Sequence, residues 1–175
     1  MRPPSLISAV DDILLQGCAL LGALDTEAYT RELDGPPGAS IGAHYRHVLD
    51  HFQCLLDGIR SGSVNYDQRR RSPVIETSLA AALVATERLR EEFRRLPAVV
   101  LQEECTVVYS VAYGEDGCGE VRSNVAREIM FCVGHAIHHF AILKLLCASV
   151  SVRLPYEFGV APSTLKHLEA QAAAR

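Results

Sequence analysis

Three features are missing from this chain of 175 residues: closely paired cysteines, an excess of basic charge, and a long uncharged apolar run near its start. None of the six cysteines lies in a CxxC pair, so we expect reduced thiols that pack as small apolar groups rather than a disulfide framework. The formal net charge is −4. Non-specific nucleic-acid binding relies on Lys and Arg at the phosphates, so we expect no nucleic-acid partner.

The first residues of the chain contain acidic side chains where a signal peptide would have its apolar region. Asp11 and Asp12 interrupt this segment, so we expect neither a signal peptide nor a membrane span, and we predict a cytoplasmic protein. The chain is 49% hydrophobic and 22% charged, which is typical of a globular protein. Without visible repeats, residues 1–175 are predicted to form one domain.

Apolar residues recur at helical spacing in four long segments. The predicted helices cover roughly residues 5–24, 41–61, 76–96 and 124–148, and a short helix ends the chain. Ser40 is a plausible cap for the second helix, and Ser123 or Asn124 for the fourth. The fourth is apolar almost all round, so we expect it to be the most buried.

The segment after Pro97 changes from helical to alternating periodicity. Val107, Tyr109, Val111 and Tyr113 alternate with smaller or polar residues, the turn GEDG follows at 114–117, and CGEVR can return as a partner. We therefore predict a mainly all-α four-helix bundle with a short β-hairpin or extended excursion between its third and fourth helices.

Six of the seven histidines fall into two clusters, each within a predicted helix. On the fourth helix, Glu128, His135 and His139 lie within roughly 40° of one another, while His138 lies about 60° away from His135. The second helix carries the other three, which all flank its apolar stripe: His44 and His51 lie nearest to it and His47 further round. Helical geometry thus favours His135 and His139 as a pair and leaves the third histidine open.

Two helices that direct imidazoles at one another can build a metal site. Three histidine ligands leave a coordination position open, which is the pattern of catalytic sites, whereas structural zinc sites are closed by four ligands. The alternatives are surface histidines or an imidazole–carboxylate network without metal. Glu128 is a candidate fourth ligand, hydrogen-bond partner of a ligand, or general base, and the alternative is a plain salt bridge to a nearby arginine.

Two motifs, IGAHYRHVLDHF in the second helix and REIMFCVGHAIHHFAI in the fourth, resemble those of the DinB/YfiT-like superfamily. The resemblance implies a four-helix bundle in which three histidines hold nickel, zinc or iron. It assigns the ligands to His47, His135 and His139. His51 and His44 are the reserve candidates.

The same resemblance implies a metal site near thiol chemistry without fixing the reaction. The leading hypothesis is a metal-dependent transferase or isomerase that uses a low-molecular-weight thiol as cosubstrate for a small-molecule substrate. Glu128 or His138 would then move protons. Arg69 and Arg71 are candidates for holding an anionic cosubstrate, although a solvated loop is the preferred interpretation. Homodimerisation is expected because bundles of this kind commonly pair.

Three other functions compete with this one. A metal-activated water would make the protein a hydrolase. A closed coordination sphere would make it a non-enzymatic metal-binding or stress-response protein. A di-iron oxygen binder of the hemerythrin type needs bridging carboxylates on several helices, and only Glu128 is well placed for that role.

Overall fold

The structure, a computed structural model, describes residues 5–33, 38–110, 113 and 118–174. These residues form seven α-helices, one short 3₁₀ helix and three strands. The helices are α1 (Leu6–Gly22), α2 (Thr26–Thr30), α3 (Ile41–Ser61), α4 (Pro73–Thr77), α5 (Leu79–Arg94), α6 (Val125–Ser149) and α7 (Pro162–Ala173). The strands are β1 (Ser63–Asn65), β2 (Glu104–Ser110) and β3 (Cys118–Asn124), and the 3₁₀ helix is Ala98–Gln102.

Four long helices form a bundle in which α1 and α3 each pack against both α5 and α6. Each of the four begins where a polar side chain accepts a hydrogen bond from a free backbone N–H in the first turn. The capping residues are Ser5, Ser40, Ser78 and Asn124. The predicted bundle with a strand excursion before the last long helix is confirmed.

The core lies between these helices and consists of large apolar side chains from all four. Its largest fully buried members include Leu14 and Leu20 on α1, Tyr45 and Phe52 on α3, Leu89 and Phe93 on α5, and Ile129 and Phe140 on α6. Burying each such side chain stabilises the fold by about 1.5–3 kcal/mol. The one polar group of Tyr45 is also satisfied, because its hydroxyl hydrogen-bonds to that of Thr86 at 2.8 Å.

The third predicted helix, residues 76–96, is divided in the structure. Helix α4 ends at Thr77, Ser78 adopts an extended conformation with ψ of 113°, and α5 starts at Leu79. The hydroxyl of Ser78 accepts from the N–H of Ala81 and thereby begins a new helix. The prediction merged the two helices because apolar periodicity continues across this cap.

The predicted hairpin is present, with β2 antiparallel to β3 and Val107 opposite Val121. Its predicted turn at 114–117, and Val111, lie outside the described residues. A third strand was not predicted: β1 follows α3 directly and pairs in parallel with β2. Gly62 ends α3 in the left-handed region, with φ of 79°, which turns the chain into β1.

Helix α6 is long and apolar enough to cross a membrane by length and composition. It buries eight residues, Glu128 among them, and contacts α1 and α3, so we interpret it as a core helix. The expectation that it is the most buried helix was wrong, because α3 buries twelve residues. Apolar residues of α6 such as Met130 and Leu145 remain exposed.

Candidate metal centre

Three histidines meet where α3 packs against α6. One nitrogen from each of His47, His135 and His139 lies within 4.8 Å of the others. The caps at Ser40 and Asn124 set the starts of the two helices. The four-residue spacing of His135 and His139 places their rings one turn apart, with centroids separated by 4.5 Å. The ring of His47 lies 4.5 Å from that of His139 and 5.0 Å from that of His135.

The distance between two of these nitrogens fits binding to a common divalent ion. Nε2 of His47 and Nε2 of His135 are 3.0 Å apart. Two imidazole nitrogens bound to one ion at about 2.1 Å, with an angle near 90°, are separated by about 3.0 Å. In addition, Nδ1 of His139 is buried and has no hydrogen-bond partner in the described part of the chain. A buried polar atom without a partner is costly, so the donor set suits an ion.

The environment keeps the three imidazoles neutral. Burial, together with the charges that neighbouring His51 and His139 would carry, lowers the pKa of His47 to about 2. Burial is also the largest cause that lowers the pKa of His135 to about 4 and that of His139 to about 4. Near neutral pH all three rings therefore offer an unprotonated nitrogen, which is the form that binds metal.

The two reserve candidates lie beside this group and not within it. The Nδ1–H of His51 donates to the backbone carbonyl of His47 at 2.9 Å, which leaves Nε2 of His51 unprotonated. The His51 ring stacks on that of His135, with centroids 3.9 Å apart, and on that of Tyr66 at 5.4 Å. His44 is half-buried, with its ring 6.0 Å from that of His139.

The two residues proposed to move protons occupy different surroundings. His138 is exposed, and its ring centroid lies 5.4 Å from that of His139. Glu128 is 1% exposed and accepts hydrogen bonds from three groups. They are the hydroxyl of Tyr66 at 2.9 Å, the hydroxyl of Ser123 at 2.5 Å and the guanidinium of Arg127 at 2.9 Å. The salt-bridge interpretation of Glu128 thus matches its contacts in the structure.

A cavity of about 510 Å³ opens beside the histidines. Its floor includes His51 and Tyr66, and its walls come from β2, β3 and the first turns of α6. The apolar lining includes Val107, Val121 and Phe131, and the charged lining consists of Asp67, Arg69, Arg122, Arg127 and Glu128. A second opening of about 380 Å³ is lined by His44, His47 and His139. The second opening therefore reaches two of the three histidines directly, whereas the larger cavity reaches their neighbour His51.

The structure separates the two arginines proposed for anion binding. Arg69 is half-buried in the cavity wall, and its Nη1–H donates to the carbonyl of Tyr66 at 2.9 Å. Arg71 is exposed and does not line this cavity. The solvated-loop interpretation therefore describes Arg71 but not Arg69.

Three side chains next to the histidines were not predicted from the sequence. Tyr66 lies between His51 and Glu128, Cys132 donates its S–H weakly to the Tyr66 hydroxyl at 3.6 Å, and Phe131 stacks on His135 with centroids 5.8 Å apart. A sequence signal for Tyr66 was present. Val64 and Tyr66 are separated by the polar Asn65, which is the apolar–polar alternation of a strand, and both are buried in the structure.

A helical bundle with three histidines gathered between two of its helices belongs to the class of candidate metal-binding bundles. The profile of the DinB superfamily matches residues 18–143. A structure of a DinB-like protein from Bacillus subtilis, YjoA, superposes with a TM-score of 0.62 at 17% identity, covering 87% of this chain and 96% of that one. The chain belongs to the DinB superfamily.

A curated fungal protein also resembles this chain. FK506-binding protein 5 of Rhizopus delemar is 29% identical over 108 residues, which cover 62% of this chain and 28% of that protein. The chain thus matches only a minor part of that relative.

Proposed function

We propose that the protein is a metal-dependent enzyme that transfers or isomerises a small substrate with the help of a low-molecular-weight thiol. His47, His135 and His139 would hold one divalent ion: nickel, zinc or iron. A divalent ion held there would lower the pKa of a thiol bound to it and so favour thiolate near neutral pH. The observation that supports this most is the position of His51, which lines the 510 Å³ cavity and whose ring stacks on that of His135 in the histidine group.

The number of ligands supports an enzyme over a purely structural site. Among the residues that the structure describes, the candidate ligand group has three members, and structural zinc sites take four. Glu128 is already occupied by three donors and does not join the group. Coordination positions would thus remain for a cosubstrate.

His51 is the residue best placed to receive the proton of the thiol. Its Nδ1–H is held by the carbonyl of His47, so its Nε2 is free to accept. Burial lowers the pKa of His51, which keeps the ring neutral before the reaction. The stacked rings of Tyr66 and His135 hold its orientation, and the residue lines the cavity. The proton acceptor in this proposal is thus His51, in place of Glu128 or His138.

A thiol titration of cobalt-substituted protein tests the proposal. Cobalt(II) has visible absorption, and a thiolate ligand adds an intense near-ultraviolet band. We expect 2-mercaptoethanol to produce a saturable band in the wild type and none in the His135→Ala/His139→Ala variant. Cobalt that binds without any change on adding thiol would contradict a thiol-dependent enzyme. It would favour the metal-dependent hydrolase or the non-enzymatic metal-binding protein.

The cytoplasmic location and the homodimer stay predictions from sequence. Gel filtration with light scattering at several protein concentrations tests the second.

A further inference from the structure

We propose that the cavity binds the carboxylate of an organic monoanion through Arg69, while its apolar walls hold the body of the same molecule. The inference names the class of substrate or cosubstrate for the proposed function and rests on it only for the reaction that follows binding. The binding itself involves Arg69 and the sheet, and it can be measured separately from any metal.

Arg69 has hydrogen-bonding capacity that the protein does not use. Its Nη1 donates to the carbonyl of Tyr66, whereas its Nε is buried and has no partner within the described chain. Buried N–H groups without an acceptor are rare and costly. A guanidinium presents its donors in a planar fork that matches the two oxygens of a carboxylate. A carboxylate bound in the cavity would supply the missing acceptor once a small movement of the side chain exposes Nε.

The charges around the cavity favour a monoanion. The lining contains three arginines and two acids, which leaves a surplus of one positive charge. Glu128 is paired with Arg127 at 2.9 Å. Neither Arg69 nor Arg122 forms an ion pair with any carboxylate in the described ranges, so both remain available. One carboxylate would balance the surplus.

The rest of the cavity suits an apolar group. Val107 and Val121 face each other across β2 and β3, and Phe131 of α6 lies nearby in the wall. Val121 is 52% exposed and Phe131 is 41% exposed, so a ligand in the cavity would cover apolar surface that now contacts water. Lining residues of this kind are typical of small-molecule sites, where a few polar groups fix the orientation.

The geometry orients such a ligand toward the histidines. His51 lines the same cavity as Arg69 and stacks directly on His135. A molecule whose carboxylate binds Arg69 would therefore share a cavity with His51, the direct neighbour of the candidate metal centre.

Two probes of equal shape test the proposal by calorimetry on the full chain: 4-phenylbutyrate and its neutral amide. We expect the carboxylate to bind at least about tenfold more tightly than the amide, because hydrogen bonds to charged groups are worth roughly 10- to 100-fold in affinity. In Arg69→Gln this preference should fall about tenfold, with amide affinity changed less than about twofold. The matched control Arg71→Gln alters an exposed neighbour outside the cavity and should behave as the wild type does.

The same titrations are repeated after removal of metal with a chelator. An unchanged preference for the carboxylate supports binding by Arg69 whether or not the metal proposal holds. A preference that disappears on chelation would place the anion on the metal and overturn the inference. Equal affinity of the two probes in the wild type, which needs no variant, would overturn it as well. So would a preference that persists in Arg69→Gln.

Discussion

Nε2 of His47 lies 3.0 Å from Nε2 of His135, across the interface between α3 and α6. At this distance the metal-free protein needs one N–H between the two nitrogens, because two unprotonated nitrogens would repel each other. An ion that binds both nitrogens requires both to be unprotonated. The proton that now joins the two helices would therefore move to Nδ1 of one ring, and the ion would take over the link.

The histidine group makes the stability of the metal-free protein depend on pH. The folded-state pKa is about 2 for His47 and about 4 for His135 and His139, whereas the ordinary value is 6.5. Below the ordinary value the unfolded chain takes up protons that the folded chain does not, so stability falls with pH. The contribution of these histidines to the free energy of unfolding should be fully present above about pH 6.5 and should decline progressively toward about pH 4.

Urea unfolding of chelator-treated protein between pH 7 and pH 5 measures this decline. The His135→Ala/His139→Ala variant lacks two of the three groups, so its free energy of unfolding should decrease less over the same range. Parallel decreases in the two proteins would show that other groups cause the acid sensitivity.

Glu128 is predicted to support the fold without binding metal. In Glu128→Gln the side chain keeps its shape but loses its charge and one acceptor, while Tyr66 and Ser123 still present their hydroxyls. We expect the free energy of unfolding to fall by about 1–3 kcal/mol, with metal content unchanged. Thermal denaturation and elemental analysis give the two values.

Glu91→Gln is the matched control, since Glu91 is half exposed and pairs with Arg95 on the surface. Its effect should stay within about 0.5 kcal/mol. Loss of metal from Glu128→Gln at full stability would instead make this carboxylate part of the metal site.

Close packing of β1 on α3 depends on Gly58. A Cβ at this position would lie 2.9 Å from Cα of Val64, a backbone atom that cannot move away alone. We expect Gly58→Ala to destabilise the protein by about 1–3 kcal/mol and to disturb the cavity through Tyr66. Gly134→Ala in α6 meets nothing within 4 Å and should stabilise the helix by up to about 1 kcal/mol. Urea denaturation measures the free energy of unfolding of the two variants. Equal changes in the two would contradict the prediction.

The sequence predicted the helices of the site better than it predicted the third histidine. Ser40 and Asn124 cap α3 and α6 as local hydrogen-bonding rules require, and the four-residue spacing paired His135 with His139. A helical wheel measures angles only from the apolar stripe, so it left the choice among His44, His47 and His51 open, and His47 was named only by the family resemblance. The three histidines lie at one edge of the α3–α6 interface. Which side of α3 faces α6 depends on tertiary packing, which a helical wheel does not include.

The cavity was less predictable than the bundle. Its floor and walls need β1, which pairs in parallel with a strand some forty residues later, with Ser63 opposite Thr106. Such pairing depends on contacts between distant segments, and local periodicity does not carry it. Because β1 was not predicted, Tyr66 and Arg69 were assigned to a polar connection, and the partial burial of Arg69 was not predicted either.

The central claim is that His47, His135 and His139 hold one ion, and metal analysis tests it most directly. Protein purified without an affinity tag or chelator should contain about one equivalent of nickel, zinc or iron. His135→Ala/His139→Ala should contain none, and His138→Ala, which alters an exposed neighbour in the same helix, should keep the wild-type content. Wild-type protein that contains no metal, and retains none after nickel, zinc or iron is added, would contradict the account.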